Sequence, residues 1–342
     1  MRIMAIALAM VAAFAMTASA ADWNFYGSAR VSTFVKDTES KDVNFEEDFA
    51  GNSRIGAKVK VSDELSARFE YGASEGKANV RELYGAWNFG AGELIVGKTV
   101  APAWLSVSNQ AYASSNGLGG WGENFTCRTA QLQLKFDGLQ IAILKANANY
   151  LIGTDAKDDV SEVNLPGVQV KYAQAFGNFD FAVSAAGQTF EIGTEDVDSY
   201  MVAAKVGAAF GPAYVKAPAF MGENMGNIAE TNVIGDADSD NGKGYAVYNA
   251  TTKKVTDVEA KGCAIAAGYT VNDMVSLEAG FGYAETKEDG AADENEVISY
   301  YVQAPITLAS GVFIVPEVGV VDYVDGTEAD VTYYGAKWQI NF

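Results

Sequence analysis

The chain has 342 residues, 49% of them hydrophobic and 20% charged, with 44 acids against 24 bases and a mean hydropathy of zero. That balance excludes a disordered acidic tail, and a net charge of −20 repels nucleic acid phosphates, so no nucleic acid partner is expected. Histidine is absent, which removes Ser-His-Asp and Cys-His catalysis, His-ligated zinc or haem, and any histidine pH switch.

The first twenty residues read as a secretory signal. Met1-Arg2 is a short positive start, Ile3 to Met16 an apolar stretch, and Ala18-Ser19-Ala20 a small-residue cleavage site. Residues 21–342 are left as a single domain. No later stretch approaches the ~18 consecutive apolar residues that a membrane helix requires. Glycine numbers 35, Phe 18 and Tyr 17, against only 6 prolines, a composition that favours strands.

Period-two alternation supports this along the chain. Leu65, Ala67, Phe69 and Tyr71 oppose Ser66, Arg68 and Glu70, and Phe179, Phe181 and Val183 oppose Asp180 and Ser184. Val275, Leu277, Ala279, Phe281 and Tyr283 oppose Ser276, Glu278, Gly280 and Gly282. Ile298, Tyr300 and Val302 oppose Ser299, Tyr301 and Gln303. Any one such strand also suits a soluble sandwich. The connections distinguish the two. Seven short turns fall at 62–64, 90–92, 137–138, 177–178, 210–212, 271–273 and 309–311. They alternate with eight longer links at 37–49, 74–79, 100–126, 151–165, 191–198, 222–260, 286–294 and 323–330. Eight loops and seven turns separate sixteen strands of roughly ten residues, the length of a tilted strand crossing a bilayer. The pattern predicts an all-β fold, a 16-stranded antiparallel transmembrane β-barrel, whose closure satisfies every backbone group in lipid. At the end of the chain Tyr334, Ala336, Trp338 and Ile340 alternate with Gly335, Lys337, Gln339 and Asn341 before Phe342, and Trp23, Phe25, Trp338 and Phe342 suit interfacial girdles.

Three stretches carry a family likeness: Asp22-Trp23-Asn24-Phe25-Tyr26-Gly27-Ser28-Ala29-Arg30; Arg81-Glu82-Leu83-Tyr84-Gly85-Ala86-Trp87 with Phe89-Gly90 and Ile95-Val96-Gly97-Lys98; and Asn116-Gly117-Leu118-Gly119-Gly120-Trp121-Gly122-Glu123. With these the sequence resembles the sixteen-stranded general diffusion porins of Gram-negative outer membranes. The resemblance implies an outer-membrane homotrimer, not an enzyme, forming a water-filled channel for passive diffusion of small hydrophilic solutes and ions, in contact with lipid and lipopolysaccharide. A substrate-specific channel on the same barrel, for anionic or sugar-like solutes, is the alternative. It further implies that the third long link, 100–126, folds into the barrel as an eyelet, with Trp104, Tyr112 and Trp121 filling space and Glu123 as its lone acid; a loop covering the rim is the other option. The family's loop is usually acid-rich, so cation preference does not transfer.

Alternation puts Arg30, Arg54, Lys58, Lys60 and Arg68 on the wet face. Arg81 and Lys98 join this pore-lining basic wall only through the resemblance, because parity does not decide them. Arg128 shares phase with Leu132 and Leu134, so it reaches water only if it precedes the strand or a bulge shifts the register. The acids gather in the long links, which predicts an anionic vestibule above a basic eyelet and weak selectivity leaning to anions. No cofactor is required. Asp236, Asp238 and Asp240 have the alternate spacing of calcium-loop ligands, but position six is Asn241 and position twelve Val247, so a structural Ca²⁺ in this acidic loop competes with a solvated loop tip. Cys127 and Cys263 have phases pointing to opposite faces, which argues against a disulfide.

Overall fold

The computed structural model describes residues 21–342 apart from 39–40, 51, 75–76, 153–160, 232, 234–240 and 325–328. The expected signal at 1–20 and the candidate calcium ligands Asp236, Asp238 and Asp240 therefore lie outside the described residues.

The described residues form sixteen antiparallel strands. These are β1 Asp22–Thr38, β2 in two pieces (Lys41–Phe49 and Ser53–Lys60), β3 Leu65–Ser74, β4 Lys77–Asn88 and β5 Glu93–Val100. After the third link follow β6 Arg128–Lys135, β7 Leu139–Leu144, β8 Gly167–Phe176, β9 Phe179–Ile192, β10 Glu195–Phe210 and β11 Ala213–Glu223. The last are β12 Val258–Thr270, β13 Ser276–Glu288, β14 in two pieces (Asn295–Gln303 and Ile306–Ala309), β15 Val312–Asp322 and β16 Val331–Asn341. Each strand pairs with its neighbours in sequence, and β16 pairs with β1 from Ser28↔Asn341 to Thr38↔Val331. Phe342 completes the seam, exchanging backbone bonds with Gly27 at 2.7 and 3.1 Å. The sheet has no free edge, as hydrocarbon demands of any spanning sheet.

The two faces follow the alternation. Leu83, Val96, Leu132, Ile143, Val202 and Trp338 are exposed on the outside. The rings of Trp87, Phe89 and Phe136 meet in series at one rim, as do Phe179 and Phe210, all beside short turns. All seven short turns lie at that end. At the other end, the sequence expectation of eight long links needs correction. Strands run through most of 37–49, 74–79 and 191–198, leaving two-residue connections. Here Val43, Phe45 and Phe49 keep the outward phase while Glu46 and Asp48 face inward, and the ladder to β1 satisfies the backbone. Glu46, Glu195 and Glu285 are thus strand residues near the rim, where the barrel projects beyond hydrocarbon and charge costs little.

The third link enters the lumen. Its Ala103 N–H donates to Gln169 on β8 and its Ala103 carbonyl accepts from Ser184 on β9. Asn109 and Ala111 reach β13 and β15. A helical turn at Tyr112–Ser115 brings Tyr112 onto Tyr333 of β16, with ring centroids 3.9 Å apart. The link then returns along β12 and β13, where a Cβ on Gly282 would run into the Trp121 carbonyl. Only glycine permits that approach. Cys127 and Cys263 are both unbridged, and Cys263 faces outward in phase with Ile265.

Candidate functional site

The inner face of β1 to β4 and β16 carries a cluster of cations. Arg30 Nε donates to Ser28 Oγ on the same strand at 2.9 Å. Around Glu70 on β3 gather Arg81 Nε at 2.7 Å, Arg68 at 2.7 Å, Arg54 at 3.5 Å and the Tyr26 hydroxyl at 2.8 Å. Tyr26 also accepts from Arg68 Nε at 2.9 Å. Glu70 is 1% exposed, so it does not meet pore water itself; it spaces these guanidiniums and offsets part of their charge.

Two irregularities bring in arginines whose phase left them undecided. In β4, Glu82 pairs with Glu70 and Val80 with Tyr71, so a bulge at Arg81 turns both Arg81 and Glu82 inward. Arg128 is the first residue of β6, opposite Val100 where β5 ends. It curls inward there, bonding Glu82 Oε1 at 3.0 Å with its guanidinium 5.7 Å from the Trp104 ring centroid. Arg30, Arg54, Arg81, Arg128 and Lys337 converge on a cavity of about 350 Å³, closed on the loop side by Ser106, Ser108, Asn109 and Trp104. Among the described residues lining it, none is a carboxylate.

The other expected site residues separate from this cluster. Lys58, paired with Arg68, and Lys60 line a wider cavity of about 770 Å³ at the turn end. Lys60 is held there by Asp63 at 2.8 Å. Lys98 is corrected: it pairs with Leu83 and Ala130, so it belongs to the outer face with Val96 and Leu132. Glu123 stays in the loop but does not meet pore water. It is wholly buried, accepting from Val107 N–H at 2.9 Å, Ser108 N–H at 2.7 Å and Ser106 Oγ at 2.7 Å, and so fixes the loop's own bend. Tyr112 and Trp121 pack beneath the loop, with ring centroids 6.2 Å apart.

Sequence reasoning passed over three wall residues. Lys337 stands in the polar phase of the final strand, so its inward position was readable there. Glu278 and Glu317 occupy inner positions of β13 and β15 and anchor the loop. Glu278 accepts from Asn109 N–H at 2.8 Å and Asn109 Nδ2 at 2.6 Å, and also from the hydroxyls of Tyr301 and Tyr214. Glu317 accepts from the N–H groups of Ala111 at 2.6 Å and Tyr112 at 2.9 Å. Nothing in the sequence says which wall the loop crosses to, because that contact joins residues about two hundred positions apart. Both carboxylates are covered by the loop and present little negative charge to the lumen. A wide barrel narrowed by this loop, with cations on one side and loop donors on the other, acts on a solute by size and by charge.

Comparison with known proteins agrees with this geometry. The structure aligns with the outer membrane channel DcaP of Acinetobacter baumannii at a TM-score of 0.74 and 16% identity, covering 95% of this chain and 98% of that one. An anion-selective porin from Comamonas acidovorans aligns at 0.66 and 12% identity, covering 94% and 100%. The trimer form of OmpT, an outer membrane protein of Vibrio cholerae, aligns at 0.58 and 17% identity, covering 94% and 100%. At such identities these likenesses concern the fold. No curated protein matches the sequence significantly. A sequence profile described as Gram-negative porin matches residues 7–289, most of the chain. Closed sixteen-stranded barrel, inward loop and profile together place this chain in the Gram-negative porin family, as an outer-membrane channel for passive diffusion.

Proposed function

We propose that the channel is a homotrimeric diffusion pore for small hydrophilic solutes with a modest preference for anions, set at the loop-narrowed throat. The observation that carries this is the convergence of Arg30, Arg54, Arg81, Arg128 and Lys337 on a cavity whose described lining contains no carboxylate. In a low-dielectric throat such a ring of fixed charge biases permeation even when the whole protein is anionic. The acids nearer the loop-end rim oppose that field, which keeps the preference modest. The anion-selective Comamonas porin and the trimer form of Vibrio OmpT, both alike in fold, lend support to the anion and trimer readings. The protein acts without catalysis. The test is the reversal potential of single channels in planar bilayers under a KCl gradient, joined to liposome swelling with neutral, anionic and cationic solutes of graded size. A potential on the chloride side and faster entry of anions than of equally sized cations is expected. Strong cation selectivity would refute the reading.

A second reading, a channel with a solute-binding step, is favoured by one feature. Ser106, Ser108, Asn109 and Asn116 of the loop line the same cavity as the arginines, so a carboxylate or phosphate there meets donors from both sides. Current block that saturates with an organic anion distinguishes this from free diffusion. Calcium in the loop holding Asp236, Asp238 and Asp240 rests on sequence spacing alone; melting that differs with and without chelator is its test.

A further inference from the structure

A barrel interior is ordinarily polar because it faces water, yet on β10 to β13 many inner positions of this one are apolar. The inner positions include Met201, Ala203, Phe220, Ala260, Ala264 and Ala284, all buried. Two segments cover them. One is the inward loop already described. The other leaves β11 at Asn224, whose backbone N–H donates to the Val258 carbonyl at 2.8 Å and whose Oδ1 accepts from the Val258 N–H at 2.9 Å, so that the chain departs sharply inward.

This arm carries Met225, Ala229, Thr231 and Val233, none more than 2% exposed. Ala229 and Glu230 pair antiparallel with Thr126 and Phe125 of the inward loop, making a short ladder inside the barrel. The arm is also held from behind. Asn227 Oδ1 accepts from the Asn149 N–H at 2.9 Å, and its Nδ2 donates to the Asn149 carbonyl at 2.7 Å. A flap lying over the rim would leave Met225, Ala229 and Val233 in water, and its backbone would gain nothing from the loop. Burial of the apolar wall and continuation of the loop's hydrogen bonding instead favour a fixed filling of one half of the lumen.

We propose that the arm at 224–231 is a second constriction element: seated on the inward loop, it fills the half-lumen faced by β10 to β13 and leaves the basic wall as the route for solutes. Selectivity then depends on two loops, the first shaping the throat and the second denying a path around it. This rests on the anion-preferring reading given above, in that the route so enforced passes Arg30, Arg54 and Arg81.

The backbone indicates how to remove the arm. The Gly226 N–H donates to the Gly244 carbonyl at 2.9 Å, so the ends of 227–243 already meet. Excising 227–243 and joining Gly226 to Gly244 through Ser-Gly opens the apolar half while leaving the basic wall intact. In planar bilayers the excised channel is expected to conduct about twofold more, since current follows open cross-section in a wide barrel, and its anion-to-cation permeability ratio should fall towards one. Unchanged conductance and selectivity would overturn the proposal. A second variant keeps the chain whole: Thr126→Cys with Ala229→Cys, in a background of Cys127→Ser and Cys263→Ser. Oxidation of the assembled protein should join the two new cysteines with wild-type conductance retained, and failure to join them overturns the seating whether or not the excised form folds. The two readings fail separately. Wild-type protein without anion preference sinks the earlier one, whereas an anion-preferring wild type that the excision leaves unaltered sinks this one.

Discussion

Glu70→Gln tests how charge is arranged in the throat. The carboxylate sits 2.7 Å from Arg81, 2.7 Å from Arg68 and 3.5 Å from Arg54, and is 1% exposed. A buried charge deprived of its partner costs about 3–5 kcal/mol. The guanidiniums of Arg81, Arg68 and Arg54 retain contact with water, with side-chain exposures of 10%, 26% and 21%, which discounts the penalty. A loss of about 2 kcal/mol is therefore expected on thermal or denaturant unfolding. The effect on permeation has the opposite character, because the throat gains one net positive charge. A unit charge about 7 Å from an ion's path in water is worth about 0.6 kcal/mol, and salt near 0.1 M roughly halves it. Anions gain and cations lose that half, so their permeability ratio shifts by about threefold towards anions. The assay is the bi-ionic or gradient reversal potential of single channels, with circular dichroism to establish that the barrel is intact. A folded Glu70→Gln protein with unchanged or reduced anion preference would refute the claim that Glu70 offsets the arginines at the point where ions pass.

Other consequences follow from the same geometry. Lys337→Gln should lower the anion-to-cation ratio by about twofold, whereas Lys98→Gln should leave it unaltered, since Lys337 lines the throat and Lys98 is on the outer face; equal effects in reversal-potential measurements would contradict this placement. Glu317→Ala removes the acceptor of the Ala111 and Tyr112 N–H groups and should cost about 1–3 kcal/mol, with noisier single-channel current as the loop loosens; quiet wild-type traces would argue against the anchor. Gly282→Val places a side chain against the Trp121 carbonyl, so the loop must leave that wall; altered conductance and greater protease sensitivity near Trp121 are expected, and neither change would show that the contact is not confining.

The alternating faces of most strands, the seven tight turns and the closure of the sheet into a barrel were legible in the sequence. Alternation with a period of two is a local property of a wall with oil on one side and water on the other, and it survives in any single strand. The same rule assigned Arg30, Arg54 and Arg68 to the inside without any knowledge of neighbours, and it assigned Lys337 there too, though only the structure drew attention to it. Where the pattern was silent, the family likeness was right for Arg81, which meets Glu70 inside, and wrong for Lys98. Lys98 follows the phase of Val96, not the position suggested by resemblance.

Other features arise only when the barrel closes. A bulge turns Arg81 inward and a strand end frees Arg128, and neither irregularity leaves a mark in the residues themselves. The alanines at 203, 260, 264 and 284 carry no signal of their own in the sequence; their role shows only with two loops lying on them. The sequence by itself determined which face of a regularly alternating strand meets water, because one residue's neighbours along the chain suffice for that. The tertiary structure decided which water-facing positions remain open to a solute, because loops returning from distant points in the chain cover some of them and leave the rest.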